Sequence, residues 1–301
     1  MKVAVTGATG LIGTRIVNAL LLRGDEVTVL SRDPLRAREA LGDVDAHAWR
    51  LLDEPAPAAA LSGRDGVVHL AGESIAQRWT DATRERIRST RELGTRNLVE
   101  GLRAADPRPR VLVSASGVDY YGDAGDQPLT EDAPRGHGFL ADVCAAWERE
   151  AEAAGELGIR VVRVRTAVVL DAGGGALAKM LPFFRLGIGG PVAGGRQYLP
   201  WIHADDIVAI YLAALDDATW TGPVNAAAPD PPTNREFSRA LGRALHRPAI
   251  APVPELAVRA LYGDMAKIVT EGHRVVPAKL QALGFELRHT DLDAALRDAL
   301  S

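Results

Sequence analysis

The chain has 301 residues, 47% of them hydrophobic and 25% charged, with a formal net charge of −4. That is material for one large domain or two intimate ones, and the acidic balance gives no electrostatic reason to expect nucleic acid or an anionic membrane as partner. One cysteine, Cys144, excludes an intramolecular disulfide and a cysteine metal cluster and fits a reducing compartment.

The first predicted element is a strand over residues 3–6, running directly from the first residues with no signal-peptide pattern, so the expected location is cytoplasmic. No stretch approaches the roughly 18 apolar residues of a membrane span. The strand meets glycines at positions 7, 10 and 13 and then a helical pattern over 11–23. Gly7 permits a sharp turn, Gly10 removes a side chain where a pyrophosphate must approach, and Gly13 allows close packing of helix on strand. The N–H groups at the start of that helix then face an anion, with no charged side chain required. A second strand over 26–31 completes a βαβ unit. Thr6, Gly7, Thr9, Gly10, Leu11, Ile12 and Gly13 are therefore candidate cofactor-binding residues.

Strand two ends at Leu30-Ser31-Arg32, where such folds meet the adenosine ribose. An acidic residue there favours NAD; Ser31 and Arg32 instead suit a 2′-phosphate, so the expected cofactor is NADP(H). Arg36 and Arg38 read as solvated helix-face charges. A third strand is expected over 46–51, with Asp53 beyond it on the adenine side. The fourth, 66–71, ends in Leu70-Ala71-Gly72, small enough at its close for the backbone to pass beside a cofactor. His69 within it reads as a half-buried strand residue. A long helix over 81–105 carries Ile87, Leu93 and Leu98 at helical spacing. Strand five, 110–115, runs into the hydroxyl-rich stretch from Ser114 and Ser116 to Tyr120 and Tyr121, at the sheet edge where ligands of doubly wound folds bind.

These motifs, with Gly94-Thr-Arg-Asn-Leu98 and Trp201-Ile-His-Ala-Asp205-Asp206, follow in the order found in the extended short-chain dehydrogenase/reductase family, which the chain resembles. Phe139 to Glu148, Gly174 to Leu181 and Pro200 to His203 are similar to one atypical branch, the epimerase family or nucleoside-diphosphate-sugar-epimerase-like proteins, whose terminal segment is a small domain of unknown function. The resemblance covers essentially the whole chain. It implies an α/β fold: a Rossmann doubly wound parallel sheet with a smaller, mostly helical C-terminal substrate cap. The NADP-binding core is expected over 1–172, completed by about 201–227, and the cap over 173–200 and 228–301. It also implies a monomer, or a homodimer formed through the helices at about 81–105 and 139–155, acting on a small-molecule substrate.

Active members of the wider family carry a Tyr-x-x-x-Lys pair in which lysine lowers the tyrosine pKa for proton exchange with substrate. Anchored on Glu148, the tyrosine position falls on Leu140 and the lysine position on Cys144, and neither residue does that work. The serine that orients the substrate oxygen corresponds to Ser116 counted from Tyr120, or to Gly117 counted from Tyr121. The two tyrosines read either as replacement proton donors or as wall residues. Cys144 reads as a small buried hydrophobe and Glu148 as a helix-face charge. Lys179, Arg196 and Trp201 are the candidate substrate contacts, and no metal is expected. The implied function is an oxidoreductase or epimerase that moves hydride between nicotinamide and a carbinol carbon. The alternative is a cofactor-binding sensor or interaction protein without turnover.

Overall fold

Apolar runs such as Val3-Ala-Val and Val111-Leu-Val lack the alternation of a one-sided strand, and they form strands covered on both faces. The computed structural model describes the backbone of residues 1–301 and all side chains except those of Ala257, Leu261 and Tyr262. Strands β1 (Lys2–Thr6), β2 (Glu26–Ser31), β3 (Asp45–Ala48), β4 (Gly66–His69) and β5 (Val111–Gly117) are followed by β6 (Gly125–Leu129), β7 (Arg160–Thr166), β8 (Val168–Leu170), β9 (Trp201–His203), β10 (Gly222–Ala226) and β11 (His273–Val275). Seven of them form one parallel sheet in the order β10-β7-β5-β4-β1-β2-β3. The order reverses between β1 and β4, and the crevice beyond their carboxyl ends is where a doubly wound sheet binds ligands.

Helices α1 (Leu11–Leu22), α2 (Pro34–Leu41), α3 (Ala58–Leu61), α4 (Asp81–Ala104), α5 (Phe139–Glu152), α6 (Gly175–Arg185) and α7 (Ala204–Asp216) precede α8 (Asn234–Ala244), α9 (Glu255–Tyr262), α10 (Lys267–Thr270), α11 (Ala278–Ala282) and α12 (Leu292–Ala299). Ile16, Val17 and Leu20 of α1 join Ile207, Ile210 and Tyr211 of α7 over one face of the sheet. Leu61, Leu98, Leu102 and Ala151, from α3, α4 and α5, cover the other. A third core sits apart from the sheet, where α6, α8 and α12 bring together Leu177, Leu181, Phe184, Phe237, Leu241 and Leu296 around Trp201.

The third strand is shorter than the expected 46–51. The chain leaves the sheet at Trp49, whose indole N–H donates to Glu54 O at 3.0 Å, and residues 50–53 turn, leaving Asp53 exposed. Helix α8 shows how side chains fix an element's start. The Thr233 hydroxyl accepts from Glu236 N, and the Glu236 carboxylate accepts from Thr233 N at 2.8 Å, a complete capping box. Thr233→Ala is expected to lower stability by about 1 kcal/mol, read as a reduced urea midpoint with unchanged slope.

Candidate functional site

Gly7 opens the site with φ +68°, a left-handed conformation that suits glycine. A Cβ there would lie 2.8 Å from Ala71 N, and one on Gly13 would lie 2.2 Å from Gly7 O. Both glycines are thus required by backbone passing backbone, at the end of β4 and within the turn itself. Gly10 caps α1 without a side-chain hydrogen bond, and no acidic residue occupies the first turn. The first amides of α1 therefore remain available to an anion.

Beyond this turn lies a cleft of about 370 Å³, walled by Gly7, Gly10, Leu11, Ile12 and Gly13 on one side and by Leu70, Ser116, Gly117 and Asp119 on the next. Leu140, Val143, Cys144 and Trp147 of α5, with Arg91 of α4, complete it. A second hollow of about 500 Å³ lies wide open on the cap surface among Arg239, Arg243, His246 and Arg247. Its arginines are partly spent, Arg243 on Asp293 and Arg247 on Arg185 O.

Thr6, Leu70 and His69 tie the two sides of the crevice together. Thr6 is fully buried; its hydroxyl oxygen accepts from Leu70 N and Ala71 N, both at 3.3 Å, and lies 2.7 Å from His69 Nδ1. That oxygen has one proton, which goes to Nδ1, so His69 carries its own proton on Nε2 and donates it to Thr95 Oγ1 at 2.9 Å. His69 is completely buried, not half-buried, and burial with the nearby Arg91 charge holds its pKa down at about 3.

Ser116 does reach the cleft, and its Oγ donates to Glu148 Oε1 at 2.7 Å. Glu148 is 3% exposed and is no surface charge. Arg165 grips it with two bonds, Nε to Oε1 at 2.8 Å and Nη2 to Oε2 at 2.9 Å. Arg165 Nη1 also donates to Tyr121 Oη at 2.8 Å, and Tyr121 donates to Asn225 Oδ1 at 2.6 Å. The Tyr121 hydroxyl is thereby engaged on both sides, 2% exposed and away from the cleft, with burial pushing its pKa up to about 12. Tyr120 stacks under Arg165, whose Cζ lies 3.6 Å from the ring centre. Both tyrosines belong to this network and leave the cleft without a phenol.

Of the other candidates, Ser114 is buried with its hydroxyl on Ala115 O, and Trp201 is wholly enclosed in the cap core. Neither faces the cleft. Thr9 and Arg196 are exposed outside its walls. Lys179 donates to Ala76 O across the cleft mouth, and Gly72 packs against the Arg91 guanidinium. Arg32 is exposed at the end of β2, and among the described residues no acid pairs with it. Ser31 exchanges bonds with the Asp33 backbone. Cys144 lines the wall, its thiol pushed up to about 12 by burial and by nearby Asp119. A thiol so rarely ionised is a packing group.

Three site residues carry no local sequence signal, Arg91, Asp119 and Arg165, and Glu148 joins them as a buried acid where a helix-face charge is expected. Arg91 enters from α4, its Nη1 donating to Glu73 O at 2.9 Å and Ile87 O at 3.1 Å, with Cζ 5.0 Å over Trp147. It places a fixed positive charge in the cleft that lost its lysine. His203, at the N-cap of α7, stacks on His289 at 3.7 Å. With Asp205 and Asp298 the two imidazoles form a cluster whose ligand atoms lie within 4.8 Å of one another. His203 Nδ1 accepts from Asp205 N at 3.2 Å, which leaves the ring proton on Nε2, facing Asp298 at 3.2 Å. That tautomer keeps a proton on Nε2, where a metal would need a lone pair, and Nε2 makes no hydrogen bond to Asp298.

Residues 3–226 match the NAD dependent epimerase/dehydratase family, and residues 253–299 match a domain of unknown function, DUF1731. The mouse epimerase family protein SDR39U1 is 38% identical over 306 residues, covering all of both chains. A chloroplastic homologue from Arabidopsis thaliana is 38% identical over 99% of this chain and 86% of its own length. The crystal structure of the human epimerase family protein SDR39U1 with NADPH superposes with TM-score 0.88 at 35% identity, over the whole of both chains. No helix among the described residues is long and apolar enough to cross a membrane.

Proposed function

The chain belongs to the NAD dependent epimerase/dehydratase family, and from that premise we propose that it binds NADP(H) and moves hydride between the nicotinamide and a carbonyl or hydroxyl carbon of a small molecule. The observation that carries this reading is the uncapped start of α1 beside glycines whose Cβ positions are already filled by backbone. That cradle fits a pyrophosphate. Arg32, which has no acidic partner among the described residues, fits the 2′-phosphate at the end of β2, and the human relative was crystallised with NADPH. When bound, the cofactor supplies the hydride acceptor or donor. The chain's own residues bind, orient and exclude water: apolar Leu140, Val143 and Trp147 dry the cleft, and Ser116 sets the polarity of one reacting position.

Fluorescence titration is expected to show tighter binding of NADPH than of NADH. Arg32→Asp should weaken NADPH by about 10- to 100-fold, the value of a charge-assisted hydrogen bond, and abolish the preference over NADH. An unchanged preference removes Arg32 from the site, and no binding of either nucleotide sinks the reading. The non-catalytic sensor remains the second reading because Leu140 and Cys144 stand where tyrosine and lysine do the work in relatives of the wider family. It predicts tight NADPH binding and no hydride transfer with any member of a broad carbonyl and nucleotide-sugar panel.

A further inference from the structure

The acids at the hearts of the fold's networks are all engaged. Glu148 is clamped by Arg165, Asp171 accepts from Arg15 at 2.6 Å, and Asp206 accepts from Arg288 N and His289 N. Glu131 accepts from Asn225 N and Lys279 N. Asp119 is the exception. It is half-buried in the cleft wall, and among the described residues its carboxylate has neither a hydrogen-bond donor nor a basic partner within bonding distance. A carboxylate left without a partner in a largely apolar cleft wall points to a ligand.

Its position is specific. Asp119 lies on the single 3-10 turn Val118–Tyr121 that closes β5. Its Oδ2 would lie 3.3 Å from a Cβ on Gly117, and Cys144 Sγ would lie 3.5 Å from the same point. Asp119 thus shares one patch of wall with the residue at the lysine position, and Leu140, at the tyrosine position, lines the same cleft. Ser116 adds a second constraint. Its one hydroxyl proton is committed to Glu148, so toward the cleft it offers only lone pairs. Asp119 as a carboxylate also only accepts. A ligand meeting both must bring the proton itself, which a hydroxyl does and a carbonyl or carboxylate does not.

We propose that Asp119 is the proton acceptor of this cleft and that the group it serves is the hydroxyl of an alcohol substrate, held between the Asp119 carboxylate and the Ser116 oxygen. The proposal rests on the NADP(H) reading and deepens it by naming the substrate class and the replacement for the missing tyrosine. In the oxidising direction the alcohol O–H bond breaks and its proton bonds to the Asp119 carboxylate. The electron pair left on oxygen becomes the second bond of the carbonyl, while the carbinol C–H pair leaves as hydride for the oxidised nicotinamide. In reduction the protonated carboxyl returns the proton to the same oxygen. Arg91 balances the charge within the same cleft: burial lowers its pKa and the nearby Asp119 and Glu73 charges oppose that shift.

Asp119→Asn keeps shape and removes the charge. Three measurements on the full chain decide the matter: NADPH affinity, binding of 2,2,2-trifluoroethanol to the NADP+ complex by tryptophan fluorescence (Trp147 lines the cleft), and NADP+ reduction by a panel of secondary alcohols. NADPH affinity is expected to stay within about 2-fold, trifluoroethanol to bind about 10-fold more weakly, and turnover to fall by about 100-fold or more. Formate should restore part of that turnover, and Asp119→Glu should retain part. Equal trifluoroethanol binding and equal turnover in Asp119→Asn overturn the proposal, as does a wild-type protein that binds NADP+ but not the alcohol. Failure of the wild type to bind NADPH marks the different failure, that of the cofactor reading itself.

Discussion

Glu148→Ala is expected to cost about 3–5 kcal/mol of folding stability, the cost of leaving a buried cation without its partner, measured as a lowered denaturant midpoint. Arg165 is 3% exposed and spends Nε and Nη2 on Glu148 alone. Burial works against its charge while hydrogen bonds and charge from Glu148 raise its pKa; without Glu148 that support is gone, yet a guanidinium still does not shed its proton. Arg163 also loses a bond, its Nη1 lying 3.2 Å from Glu148 Oε2, although it keeps Glu152 at 2.5 Å. The double variant Glu148→Leu with Arg165→Met should recover much of the loss, since apolar replacement of a whole buried pair is often neutral or better. A single variant no less stable than wild type would show that water reaches this pair.

The same variant separates stability from site chemistry. Without Glu148 the Ser116 proton is free to point into the cleft, so the folded fraction of Glu148→Ala presents a donor where the wild type presents an acceptor. Arg165 also anchors the Tyr121 hydroxyl and, through Tyr121 and Asn225, the edge strand β10. The network therefore joins β5, α5, β7 and β10 behind the cleft wall, and its position explains why it is closed to ligand while Ser116 and Asp119 are not.

What was legible in the sequence follows from what each signal constrains. Gly7 and Gly13 are legible because a turn after a strand that opens a helix leaves no room for a Cβ against neighbouring backbone. The doubly wound sheet was legible because its strands are apolar without alternation and are separated by helical patterns. Thr6, Ser114, Tyr121 and Trp201 were expected at ligand surfaces because hydroxyls and aromatics are common there. Side-chain type leaves direction open, and all four turn inward: Thr6 to His69 and Tyr121 to Asn225, both distant in sequence, Ser114 to the neighbouring Ala115 O, and Trp201 into the cap core. Glu148 was read as a surface charge because its partner sits 17 residues on, in another element. Asp119 sits inside its motif with no local signal of its own, since only the fold reveals that no cation comes to meet it.

Acid is expected to destabilise the fold through His69, by about 1.4 kcal/mol for each pH unit in the titration window. His69 is held neutral, with a folded pKa of about 3 against an ordinary 6.5. Between those values the unfolded chain binds the proton and the folded chain does not. Stability is therefore fully present above about pH 6.5 and is lost as pH falls from there toward 3, reaching about 3 kcal/mol of loss near pH 4.5. His69→Gln, which preserves a donor and an acceptor for Thr95 and Thr6, should flatten thermal stability across pH 7 to 4.5 by about that amount. His203, its pKa also lowered by burial and by His289, titrates in both proteins, so the difference between them isolates His69. Only below about pH 3 does the folded imidazole itself take the proton. Protonated imidazole has no lone pair for the Thr6 proton, and the Thr6 oxygen also holds the amides of Leu70 and Ala71. The Ala71 backbone is what Gly7 packs against, and because the folded protein keeps His69 neutral down to about pH 3, NADPH affinity of the folded fraction should be the same function of pH in wild type and His69→Gln between pH 7 and 4.5. Parallel stability profiles for the two proteins would remove His69 from the acid response.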